Sequence, residues 1–174
     1  MNFQLKFKEQ TSTQKISDIS TNRTAITIIL DNVKNPANIG MIFRIADAIR
    51  AEKIILYFET NQHGVEKFVK SSRSTEKYVN YQIVTNFLFI EELKNTHQII
   101  ALEKTNNSID YQNFLPKDKI ALIIGSENFG VSEQLLKIVE QSIHLPMLGV
   151  NTSINVATAS SVVLYDILLK MNKI

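Results

Sequence analysis

Two short runs constrain the fold of this chain more than any other feature: AITIIL at residues 25–30 and KIALII at 119–124. Both are almost unbroken in β-branched and aliphatic side chains. A strand with one wet face alternates apolar and polar residues, so a run without alternation calls for a strand covered on both faces. QIIAL at 98–102 reads the same way. Amphipathic stretches separate these runs, and strands alternating with helices build an α/β domain. The expected fold is α/β, with a mostly parallel sheet and helices on both faces.

Taken in order, the pattern predicts strands at 25–30, 53–58, 78–84, 98–102, 119–124 and 142–145. Helices are predicted at 40–51, 66–71, 87–94, 132–140 and 156–169. Residues 1–23 are polar and carry Lys6, Lys8, Lys15 and Arg23, which reads as an arm, either inert or reaching for RNA. The domain proper is therefore 24–174. The polar stretch 105–108 reads as a surface loop with no chemistry of its own.

Glycine use narrows the search for a site. The chain has five glycines and three prolines. Gly40, Gly125, Gly130 and Gly149, with Pro36 and Pro146, fall in three segments: DNVKNPANIGMIFR, IIGSENFG and LPMLGVNTSIN. Glycine is used where φ must be positive or where something must come close. Each segment directly follows a predicted strand, and ligands of parallel sheets sit outside the carboxyl ends of strands. The last segment runs into the helix starting at Val156, and free N–H groups there, with Ser153 and Asn155, can grip a polar ligand edge. This junction is the expected floor of the binding site.

Several chemistries lack their signatures. The loop GSENFG has two glycines four residues apart, but Val131 and Ser132 follow where a phosphate-binding loop needs Lys and Ser/Thr. Glu127 in its middle would repel phosphate. There is no GxGxxG, no GxSxG elbow and no HExxH, and His63, His97 and His144 are not grouped with carboxylates. Zero cysteines exclude disulfides and thiolate metal sites, so no metal is expected. A net charge of +2 neither requires nor excludes RNA. No apolar run approaches the ~20 residues that span a bilayer, and the first residues lack the apolar core of a secretory signal. No membrane association is expected, and the cytoplasm is the default location.

The polar candidates admit two readings each. Asn38 is either the cap of the first helix or a site residue. Arg44, between Phe43 and Ile45, either pairs with Glu127 or Asp47, or aims its guanidinium at a phosphate or hydroxyl in a cleft. Glu127 is either an ion-pair carboxylate near a helix start or a group in the site. The residues by themselves reach an α/β domain with one polar, glycine-bearing site, and no reaction.

The segments NPANIGMIFRIADA, IIGSENFGVS and LPMLGVNTSINVATASSVVLYD, in this order, resemble the three motifs of the SpoU/TrmH family of RNA ribose 2′-O-methyltransferases, within the SPOUT superfamily. The resemblance covers residues 24–171. It implies a SPOUT-like parallel sheet with a C-terminal trefoil knot, a rare exception to unknotted topology. It also implies a homodimer with active sites near the subunit interface, and S-adenosylmethionine (SAM) held bent in the knot through backbone groups at Leu102, Gly125, Leu145 and Ile154. By motif position Arg44 matches the catalytic arginine, Asn38 the first-motif asparagine, Glu127 the second-motif glutamate, and Ser153 and Asn155 the polar pair of the third motif.

The implied reaction is methyl transfer to a ribose 2′-hydroxyl of tRNA or rRNA, with tRNA favoured by the lack of a separate RNA-binding domain. The contrasting class is a catalytically silent knotted RNA-binding or assembly protein. The chain departs from the pattern in three places. Arg50 stands where relatives often carry the glycine ending the first-motif helix, which is expected to remove the cap. Ala157 and Thr158 replace Ser-Val, and residues 70–78 lack a glycine often found there. Lys6, Lys8, Arg50, Arg73 and Lys77 are candidates for phosphate contacts or ordinary solvated charges.

Overall fold

A computed structural model describes residues 22–59 and 75–174. The elements are β1 (Ile26–Asp31), α1 (Pro36–Ala48), β2 (Lys53–Tyr57), β3 (Tyr81–Val84), α2 (Phe87–Glu92), β4 (Gln98–Leu102), β5 (Ile109–Asp110), β6 (Ile120–Ile124), α3 (Glu133–Leu136), β7 (Gln141–His144) and α4 (Val156–Lys170). The strands form one sheet in the order β3-β2-β1-β6-β4-β7-β5, with every adjacent pair parallel. The unbroken apolar runs are its centre, and every residue of β1 and β6 is buried.

Alternate residues of these strands feed two separate cores. Ile26, Ile28, Leu30, Leu122 and Ile124 pack under α1 and α4 with Ile42, Phe43, Leu164 and Ile167. Ile29, Ala121 and Ile123 face the other way, toward Ile90 and Leu93 around α2 and Leu135 of α3. Helices therefore lie on both faces, as the double coverage of the strands demands. Two late strands enter between earlier ones: β6 between β1 and β4, and β7 between β4 and β5.

Several boundaries move for local reasons. The first helix begins at Pro36, not Gly40, because proline at the first helical position has a preset φ and no N–H to satisfy. Asn35 is its cap, accepting from Ala37 N at 2.9 Å, so Asn38 is not the cap. The predicted helix over 132–140 is one turn, Glu133–Leu136, because the chain must re-enter the sheet at Gln141. The third strand starts at Tyr81, after a 3-10 turn over Thr75–Lys77. The two-residue strand β5, pairing with Ile143 and His144, is too short to leave a pattern in sequence. The predicted helix at 66–71 lies outside the described residues, as do Lys6, Lys8 and Arg73.

The expected loss of the cap at Arg50 is overturned. Ala51 N bonds Ala46 O at 2.8 Å and Arg50 N bonds Asp47 O at 3.0 Å, which is the paired closure of a Schellman motif. Arg50 adopts φ +53°, the left-handed conformation that glycine would take at no steric cost. Asn172 does the same at the end of α4, with φ +54°. Arg23, in the expected arm, donates to Ala51 O at 3.0 Å and Tyr78 O at 2.7 Å, tying the chain to this corner.

Candidate active site

The three motif segments meet at the carboxyl ends of β1, β6 and β7. Asn155, the cap of α4, accepts from Ala157 N at 3.0 Å and Thr158 N at 3.2 Å. Its amide nitrogen donates to Asn38 Oδ1 at 3.0 Å, and Asn38 Nδ2 donates to Glu127 Oε1 at 2.7 Å. Every bond in this chain points the same way, from the N–H groups of a helix start to a carboxylate. Aligned donors of this kind polarise one another and stabilise the negative end. Asn38 is only 4% exposed, and the two bonds satisfy an amide that would otherwise be costly to bury inside α1.

The 125–130 loop is closed on itself and clamped from both sides. Ser126 and Gly130 exchange two backbone bonds, of 3.0 and 2.9 Å. A Cβ on Gly125 would collide with the Gly130 carbonyl carbon and Val131 N, while Gly130 needs its freedom for φ +67° and for the Glu103 carboxylate against it. Both glycines are thus required by the protein's own loop, whereas at Gly149 an added Cβ would meet nothing within 4 Å. Because β6 lies between β1 and β4, the carboxylates ending those neighbours reach the residues just past the loop. Asp31 Oδ2 accepts from Ser132 N at 2.6 Å, and Glu103 Oε2 accepts from Val131 N at 2.9 Å.

Beside the loop is a cavity of about 530 Å³, the size of a small-molecule site. Leu102, Gly125, Leu145 and Ile154 all line it, together with Glu127, Ser153 and Asn155. Asn38 reaches it through its two hydrogen bonds. His144 also lines it, with its Nδ1 buried and, among the described residues, without a hydrogen-bond partner. Arg44 is not on the lining. It is exposed on α1 and, among the described residues, forms neither expected ion pair, with Glu127 or with Asp47.

Sequence reasoning missed Asp31, Glu103 and His144. A signal existed for two of them: each carboxylate stands at the carboxyl end of a buried apolar run, where parallel sheets bind ligands. Burial raises the Tyr57 phenol above its ordinary pKa, and the charges of Glu59 and Asp31 act in the same direction, so this end of β1 and β2 is acidic.

Residues 25–165 match the model of the SpoU rRNA Methylase family. The chain belongs to this family. A Staphylococcus aureus protein assigned to the TrmH family of tRNA/rRNA methyltransferases is 30% identical over 84% of this chain and 60% of its own length. The SpoU-family chain thus spans about three fifths of the curated relatives it matches. The fold is similar to that of the Aquifex aeolicus (A. aeolicus) TrmH/SpoU tRNA modifying enzyme, with TM-score 0.80 and 23% identity over 92% of this chain and 82% of that one. It is also similar to an AdoMet-bound rRNA methyltransferase from Sinorhizobium meliloti, with TM-score 0.76 and 24% identity over 88% and 59%.

Proposed function

We propose that this SpoU-family chain is a SAM-dependent RNA methyltransferase that modifies a ribose 2′-hydroxyl of tRNA or rRNA. The observation carrying the reading is the hydrogen-bonded line Asn155–Asn38–Glu127, which joins all three motif segments at the edge of one cavity. The cavity suits the cofactor in size and in its mixed lining. Leu102, Gly125, Leu145 and Ile154 would hold it. When bound, SAM supplies a methyl group on a cationic sulfur that needs no further activation.

The remaining work is to bring the hydroxyl into line and to give its proton an acceptor. Asn38 holds one oxygen of Glu127 and so fixes that carboxylate at the cavity edge. Ser153 and Asn155 border the same space. A guanidinium with a pKa above ~12 is a poor base, so Arg44 orients the hydroxyl and its neighbouring phosphate, and that phosphate takes the proton.

Arg44 belongs to a surface that also supports a homodimer. Met41 on α1 and Val162, Tyr165 and Leu169 on α4 are exposed apolar side chains at helical spacing, on the outward side of one helix layer. Pairing through this layer would bring Arg44 to the seam between subunits. The late entry of β6 and β7 between earlier strands supports the trefoil knot. Among the described residues no helix is long and apolar enough to cross a membrane. Membership of an RNA-modifying family supports a cytoplasmic location. Residues 1–23 are read as an arm on a 24–174 domain.

The test is calorimetric titration of SAM, followed by methyl transfer to total RNA and mapping of the modified nucleotide. Arg44→Lys should bind SAM normally yet lose most turnover, because the charge stays and the planar fork goes. SAM binding by the wild type without any transfer to RNA would favour the silent RNA-binding class instead.

A further inference from the structure

A second cleft, of about 390 Å³, lies on the other side of the 125–130 loop. Its walls are the turn after β1, with Asp31, Asn32 and Lys34, then Glu59 past β2, and the loop residues Asn128 and Phe129. Ser126, Glu127 and Gly130 line both this cleft and the cofactor-sized cavity, so the two spaces share one thin wall. That wall is stiff, being bridged between Ser126 and Gly130 and clamped by Asp31 and Glu103. The turn opposite is set as well: Asn32 adopts φ +53° and donates to Asp31 Oδ1 at 2.8 Å, and its Oδ1 accepts from Glu59 N at 3.3 Å.

Two features of this cleft are unexplained by folding. Phe129 is 90% exposed on the rigid loop, where an aromatic ring gains nothing from the core. Ser132 lines the cleft with its Oγ buried and, among the described residues, unpartnered, although it stands at the cap position of α3. The charge balance selects the occupant. Among the described residues, Asp31, Glu59 and Glu127 outnumber the single lining cation Lys34, which disfavours a phosphate and favours a flat, neutral group bearing N–H donors. Aromatic side chains recognise unstacked nucleobases by stacking, with polar groups at the base edge.

We infer that this cleft seats the base of the nucleotide being methylated, with Phe129 as its stacking platform and Ser132, Asn32 and Glu59 at its edge. The inference rests on the methyl-transfer reading. A base in this cleft sets its ribose at the shared wall, beside Glu127, so one rigid loop positions both the base and the hydroxyl. Phe129 is then a substrate-binding residue, and its ring carries affinity for RNA rather than for the cofactor.

The chain contains no tryptophan, so Phe129→Trp makes the position its own reporter. Ribonucleoside 5′-monophosphates, titrated in the presence of S-adenosylhomocysteine, should quench its emission saturably. Leu115→Trp, at a site 79% exposed and lining neither cavity, should show only linear collisional quenching. Ribose 5-phosphate, which lacks a base, should quench neither variant and should not compete. Phe129→Ala should raise KM for total RNA about ten-fold, as loss of one stacking contact does, with SAM affinity unchanged. Linear quenching at position 129, competition by ribose 5-phosphate, or an unmoved KM in Phe129→Ala would each overturn the inference. Failure of the methyl-transfer reading shows separately, as a wild-type chain that transfers no methyl group to RNA, because the quenching is read without turnover.

Discussion

Replacing Asn38 by Asp tests the hydrogen-bonded line at its centre. The substitution is nearly isosteric and keeps the acceptor for Asn155, but it puts a carboxylate oxygen where Nδ2 now donates to Glu127 at 2.7 Å. Loss of a hydrogen bond to a charged group costs about 1.5–3 kcal/mol. Two like charges about 4 Å apart repel by about 4 kcal/mol at an effective dielectric of about 20, and by about 1 kcal/mol in water. Glu127 is exposed, so the repulsion lies toward the lower bound, and the total is about 3 kcal/mol. For a chain of this size that lowers Tm by about 6–12 °C.

The pH dependence has a definite sign. The two carboxylates share a proton, which raises the folded-state pKa above the unfolded value of about 4. The penalty is therefore full in alkaline buffer and disappears as pH falls through the raised folded-state value. Scanning calorimetry of Asn38→Asp against wild type should show a Tm gap that narrows between about pH 8 and about pH 5. Adding Glu127→Gln should recover most of the loss in alkaline buffer, because the glutamine amide can donate to the new carboxylate. A gap that survives in the double variant, or that ignores pH, would refute the reasoning.

Three further outcomes are expected. Arg50→Gly relieves a left-handed side chain at the end of α1 and should stabilise the protein by about 1 kcal/mol, read as a rise in Tm of about 2–4 °C. His97 lies buried between Thr96 Oγ1 at 2.7 Å and Thr27 Oγ1 at 3.4 Å, and burial holds its pKa below 6.5, with Lys119 and Lys53 adding to the shift and Glu52 opposing it. Its contribution is complete above 6.5 and lost as pH falls through the depressed folded value, so His97→Gln should flatten that part of the stability–pH curve in chemical denaturation. Tyr165→Glu, on the exposed apolar stripe of α4, should convert the proposed dimer to monomer in sedimentation while leaving the circular dichroism unchanged, since Tyr165 is 46% exposed.

The sequence by itself determined the sheet. Unbroken β-branched runs such as AITIIL and KIALII can be satisfied only by apolar contact on both faces, a local property that needs no knowledge of neighbours. It also located the three segments that converge on one cavity, because glycine and proline report backbone needs residue by residue. Strand order, by contrast, is a property of pairing, and nothing in KIALII says that it will slide between β1 and β4. That insertion is what lets Asp31 and Glu103 grip the same loop from opposite sides, across separations of 101 and 28 residues. The roles of Asn38 and Arg44 were undecided for the same reason. An asparagine at a helix start has the same local chemistry whether it caps the helix or bonds a carboxylate 89 residues away, and only the tertiary structure supplies Glu127 as its partner.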